Sequence, residues 1–102
     1  MGVSWHKRDD LAVITVQGHF NFSLHQAFRE ASTQALATTD VRTLEVDLSK
    51  ADYLDSSALG MLLVLREQAE KVGVTHLRIH GAHGAVHQVL SIAKFETFYE
   101  IE

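Results

Sequence analysis

Cysteine and proline are both missing from this 102-residue chain. Without cysteine there is no disulfide framework and no thiolate for a zinc or redox site, which fits a cytoplasmic home. Without proline, the loops must turn on Gly, Asp, Asn and Ser. Positive charge is sparse as well: nine Lys and Arg against thirteen Asp and Glu leave a formal net charge of −4. The nine are spread along the chain, so the basic patch of a nucleic-acid binder is not there, and a protein is the expected partner. Long apolar runs are also lacking. The longest, Met61–Leu65, is far too short to cross a bilayer. The opening Met1-Gly2-Val3-Ser4-Trp5-His6 has no apolar run of signal-peptide type.

What is present suffices for folding. Hydrophobic residues make up 46% of the chain, enough for one modest core without metals or crosslinks. Residues 1–102 read as a single domain, with no linker, repeat or low-complexity segment. Val3–His6 alternates weakly, Arg8-Asp9-Asp10 offers turn chemistry, and Leu11–Gln17 is rich in β-branched residues, which predicts an N-terminal antiparallel pair of strands. Gly18 is expected to end the second strand. Ser23 and Gln26 form a capping-box pattern before a helix whose face is Leu24, Ala27, Phe28, Ala31 and Ala35.

Leu44, Val46 and Leu48 alternate with polar residues as a strand, and Lys50–Leu54 reads as a loop. The next helix buries Ala58, Met61, Leu62, Leu65, Ala69 and Val72 and ends at Gly73. Val74–His80 is a further strand, Ala85–Ala93 a short helix, and Phe98–Ile101 a closing strand. The order β-β-α-β-α-β-α-β predicts an α/β fold: a mostly parallel sheet of four to five strands, with an N-terminal antiparallel strand and three to four helices.

One junction concentrates polar chemistry. Asp55-Ser56-Ser57-Ala58-Leu59-Gly60 lies where a strand pattern gives way to a helix pattern. The first N–H groups of a helix lack intrahelical partners, and Asp and Ser are among the residues that satisfy them, so the plain reading is an N-cap. Two features go further. At about 100° per residue, Ser56, Gly60, Leu63 and Glu67 share a stripe away from the core face, with Val64 beside it. Leu63 and Val64 either pack against a neighbouring helix or form an exposed apolar patch of the kind that binds proteins. Gly60 lets another backbone approach closely. Second, a phosphate on a serine here is tolerated by the helix end, yet adds nearly two negative charges beside Asp55 and an apolar surface. A docked partner would be expelled while the fold survives.

The stretch Val46-Asp47-Leu48-Ser49, then Leu54-Asp55-Ser56-Ser57-Ala58-Leu59-Gly60, then Leu62-Leu63, resembles the signature of STAS domains. It is most similar to bacterial anti-sigma factor antagonists, whose pattern is strand, loop, D-S-S-G-L-G, helix. Gly18 and Ser91–Phe95 extend the resemblance over nearly the whole chain. The resemblance implies a small STAS-like α/β domain that works by partner switching. It implies an anti-sigma factor with serine kinase activity, or a related switch kinase, as partner, and a PP2C-type phosphatase that restores binding. Carried over residue by residue, Ser56 is the phosphoacceptor and Ser57 a cap and secondary acceptor. The expected partner-binding surface combines Asp55, Ser57 and Asn21 with the stripe Gly60, Leu63 and Val64 that helical spacing offers. Two departures stand out: Ala58 replaces the usual glycine, stiffening the helix start and reshaping the docking surface, and Asn21 stands where many relatives carry Asp.

Other chemistries fare worse. His83 and His87 have helical i, i+4 spacing with His80 upstream, but Gly81 and Gly84 flank His83 and no zinc motif is present. A Ser-His-Asp hydrolase lacks its G-x-S-x-G elbow, and a Gly-rich phosphate loop is missing. The expectation is a chain without cofactor or bound metal, not an enzyme, that neither enters membranes nor binds nucleic acid. The competing reading is a STAS scaffold or sensor subunit of a transport or stress-signalling complex, whose serine is not phosphorylated.

Overall fold

A computed structural model describes residues 2–102. Two antiparallel strands, β1 (Val3–Arg8) and β2 (Leu11–Phe20), lead into a 3-10 turn at Phe22–Leu24 and helix α1 (His25–Ala37). Strand β3 (Thr43–Leu54), helix α2 (Ser56–Lys71), strand β4 (His76–His80) and helix α3 (Gly84–Ile92) follow. A 3-10 turn at Phe95–Thr97 leads to the short strand β5 (Glu100–Ile101). The five strands lie in sequence order, and only β1–β2 is antiparallel. The α/β sheet architecture expected from the sequence is the one observed.

Period-two alternation decides what each strand face meets. Ala12, Ile14 and Val16 of β2, Leu44, Val46 and Leu48 of β3, and Leu77 and Ile79 of β4 join one core with Phe28, Ala35, Leu62, Leu65, Val86 and Leu90 of the helices. Right-handed crossovers that step along the sheet in one direction put all their helices on the same side. The far face is mostly polar, with Val13 a buried exception. There Glu45 accepts a 2.7 Å hydrogen bond from Arg78 Nε, and Glu102 lies 3.8 Å from Arg78 and 3.6 Å from His80. The bond to Glu45 raises the Arg78 guanidinium above its ordinary pKa.

Several boundaries differ from the sequence reading, each for a local reason. Strand β2 does not stop at Gly18; it continues to Phe20, with register shifts on either side of a glycine at φ +90°. That bulge lets β2 pair onward with β3, so Lys50–Leu54 is strand and not loop: Gln17 faces Lys50, His19 faces Tyr53 and Phe20 faces Leu54. The expected Ser23–Gln26 capping box does not form, because Asn21 captures both the N–H and the hydroxyl of Ser23. Val72 is 57% exposed, since α2 ends at Lys71 and Gly73 (φ +84°) turns the chain so that Val74 takes the buried place. The strand expected over Val74–His80 begins only at His76, and the closing strand shrinks to Glu100–Ile101. Ahead of it Tyr99 is buried, and its hydroxyl donates to the Leu62 carbonyl at 2.5 Å. Burial drives that phenol well above its ordinary pKa, against a small opposing effect of Arg66.

Candidate functional site

Strands β2 and β3 end side by side, with Phe20 opposite Leu54. Both are fully or nearly fully buried, and each is followed by an Asx residue in extended conformation: Asn21 (φ −137°) and Asp55 (φ −124°). Each Asx folds its side chain over the next turn. Asp55 Oδ1 accepts from the Ser57 N–H (3.1 Å), the Ala58 N–H (3.2 Å) and the Ser57 hydroxyl (2.6 Å). Asn21 Oδ1 accepts from the Ser23 N–H (3.0 Å) and hydroxyl (2.6 Å). The cap of α2 is thus Asp55 alone. Ser57, expected to share that work, is inside the helix and steadies the carboxylate by donating to it.

These bonds set the electrostatics. The Ser57 hydroxyl, then the Ala58 and Ser57 N–H groups, hold the Asp55 carboxyl below its ordinary pKa against the opposing cost of desolvation. Asp55 is therefore a carboxylate at neutral pH. Ser56 is the first residue of α2 and is exposed. Among the described residues its hydroxyl makes no hydrogen bond, in contrast to that of Ser57.

The helix stripe lies where its spacing put it. Gly60 is exposed, Leu63 is 39% exposed and Val64 54% exposed, so neither apolar residue is covered by another helix. Ala58 is fully buried, so the departure from the family's glycine alters the core side of α2 and not the docking face expected for it. A groove of about 490 Å³ runs between α1 and α2 and takes Ser57, Gly60 and Val64 as one wall. Leu63 and Ser56 stand outside it on the crown of α2.

The opposite wall was not anticipated from the sequence. It comprises Phe22, His25 and Arg29, with Phe28 also lining the groove. Phe22 is 68% exposed and stacks on the His25 ring at 4.9 Å. The one available signal was the repeat of Asx-x-Ser, which makes Phe22 the counterpart of Ser56. Tyr53, another exposed aromatic, borders the same strand ends and tilts against His19 at 5.5 Å.

The histidines are dispersed. His83 Nε2 lies 3.1 Å from the Ser49 carbonyl oxygen, and His19 sits 3.8 Å from Asp52. Among the described residues there is no group of three or more His, Asp or Glu arranged to hold a metal ion. Gly81 explains the tightness beside His83: a Cβ there would come within 2.7 Å of Ser49 Cβ.

The family model for the Mlab-type STAS domain matches residues 3–100. The chain belongs to the STAS domain family. A STAS-domain containing protein of Pseudomonas aeruginosa is 41% identical over 88 residues, which cover 86% of this chain and 84% of that protein. Among solved structures, the anti-sigma factor antagonist SpoIIAA in its unphosphorylated form superposes with a TM-score of 0.77 at 18% identity, covering 98% of this STAS domain and 87% of that chain. The phosphorylated form of SpoIIAA, a cell fate determinant of Bacillus, gives a TM-score of 0.72 at 15% identity, over 98% of this chain and 90% of that one. At such identities these two structures establish the shared fold. No helix among the described residues is long and apolar enough to cross a membrane.

Proposed function

We propose that this STAS domain is a non-enzymatic anti-sigma factor antagonist controlled by phosphorylation of Ser56. Unphosphorylated, it binds an anti-sigma factor with serine kinase activity, or a related switch kinase, through the crown of α2 and the adjoining strand ends. Phosphorylation releases that partner, and a PP2C-type phosphatase returns the chain to its binding form. The observation that carries this reading is the contrast between two adjacent hydroxyls. Ser57 is held by Asp55 at 2.6 Å, whereas Ser56 is exposed at the helix start between a carboxylate and an apolar crown. A kinase can reach Ser56 without disturbing the cap. The phosphate it adds stands beside an ionised Asp55, so the local charge turns strongly negative while the backbone has no reason to move. SpoIIAA, which shares the fold, exists in unphosphorylated and phosphorylated forms.

Gly60, Leu63 and Val64 supply the surface that a partner covers, and Asn21, at the neighbouring strand end, adds an uncharged margin. The test is affinity capture from the native host with wild type, Ser56→Ala and Ser56→Asp. Ser56→Ala should retain the partner. Ser56→Asp should bind it at least about tenfold more weakly, or about 1.4 kcal/mol, with an unchanged circular dichroism spectrum. Equal capture by wild type and Ser56→Asp, together with no phosphatase-sensitive mass on the native protein, would favour the scaffold or sensor role instead.

A further inference from the structure

We infer that the groove between α1 and α2 receives a partner segment carrying an apolar anchor flanked by acidic residues. This inference rests on the reading of the α2 face as a partner surface and adds the chemistry of what docks there. Although the whole chain carries a net charge of −4, no Asp or Glu lines the groove. Its charged lining residue is Arg29, one helical turn from His25 on the same wall. Arg29 makes no ion pair among the described residues, and its helical neighbours at i−4, i+3 and i+4 are His25, Ser32 and Thr33. A cation held on an acidic protein beside an apolar slot matches a carboxylate next to an apolar side chain.

The shape argues for a polypeptide. Phe28, Met61 and Leu65 form a buried floor, but the lips, Phe22 and Val64, are 68% and 54% exposed. Small ligands are enclosed by their sites, whereas this groove of about 490 Å³ is open along lips that are more than half exposed. A helix or extended segment laid along the groove covers both lips and continues onto the exposed Leu63 of the crown. At the centre, Gly60 adds no side chain, and a Cβ built there meets nothing within 4 Å, so the occupant can approach α2 closely.

Displayed random peptides selected on the full chain, and in parallel on Arg29→Glu, test this directly. Wild type should enrich peptides that pair Leu, Phe or Trp with Asp or Glu, and their binding should perturb amide NMR signals of α1 and α2 around the groove. The same peptides should bind Arg29→Glu at least about tenfold more weakly and Arg29→Gln to an intermediate degree, both variants being checked for native circular dichroism. Basic or uncharged winners, no winners, signals moving elsewhere, or equal affinity for Arg29→Glu would overturn the inference. So would saturable binding of dodecanoate in the groove without any acidic peptide, which would assign the slot to small amphiphiles. No arm of the experiment involves Ser56 or phosphate, so a failed phosphoswitch and a failed groove give separate results.

Discussion

Asn21 and Asp55 end two neighbouring parallel strands in nearly the same way, yet only one of the two turns carries a charge and starts a long helix. Both are extended, both sit beyond a buried hydrophobic residue, and both bind the N–H and hydroxyl of a serine two positions on. The Asn21 turn has an amide and leads to three residues of 3-10 helix before α1 starts without a side-chain cap. The Asp55 turn has a carboxylate, bonds a third donor on Ala58, and starts a helix of 16 residues directly. Geometry alone thus makes a turn. The added charge and the long helix behind it, with its aligned dipole, make the second turn sensitive to charge.

The largest effect should come from breaking what the two turns share. Phe20→Ala removes a fully buried ring packed at 5.1 Å from Phe28, beneath both turns, and should cost about 3–5 kcal/mol in urea unfolding. Next, Asp55→Asn keeps an acceptor oxygen but makes the two turns chemically alike. Because the folded Asp55 pKa lies below its unfolded value, the ionised cap stabilises the fold above the unfolded pKa, and that contribution is lost as pH falls through the folded one. Wild type and Asp55→Asn should therefore diverge in stability toward neutral pH and converge in acid, below roughly pH 4. A gap that does not change with pH would mean that the charge contributes nothing. Asn21→Ala should lose about 0.5–1 kcal/mol, because the motif it supports is short. The smallest change discriminates most finely. Ser57→Ala should move the Asp55 carboxyl toward its ordinary pKa in an NMR titration, while Ser23→Ala has no carboxylate to move and should alter stability by only about 0.5 kcal/mol.

Much of this was legible in the sequence. The alternation of Leu44, Val46 and Leu48 and the spacing of Ala58, Met61, Leu62, Leu65 and Ala69 place their side chains in the core, and Asp55 announces a helix start. The end of β3 was not legible, because Ser49 and Lys50 break the alternation and only pairing with the bulged β2 keeps the segment extended. Gly18 misled for the same reason: a positive φ is as useful within a bulge as at a strand's end. On the site, the α2 wall followed from helical spacing within one segment. The wall of Phe22, His25 and Arg29 did not, since only the packing of α1 against α2 brings residues 28 to 42 positions apart into one groove.

Trp5, the single tryptophan of the chain, donates from its indole nitrogen to Gln34 Oε1 at 2.9 Å, tying the edge strand β1 to α1. That one bond gives the protein a built-in optical probe. Fluorescence from Trp5 should redden when β1 peels away from the helix, even where the far-ultraviolet helical signal holds steady. Fraying of the sheet's edge can thus be watched separately from global unfolding, without adding a label.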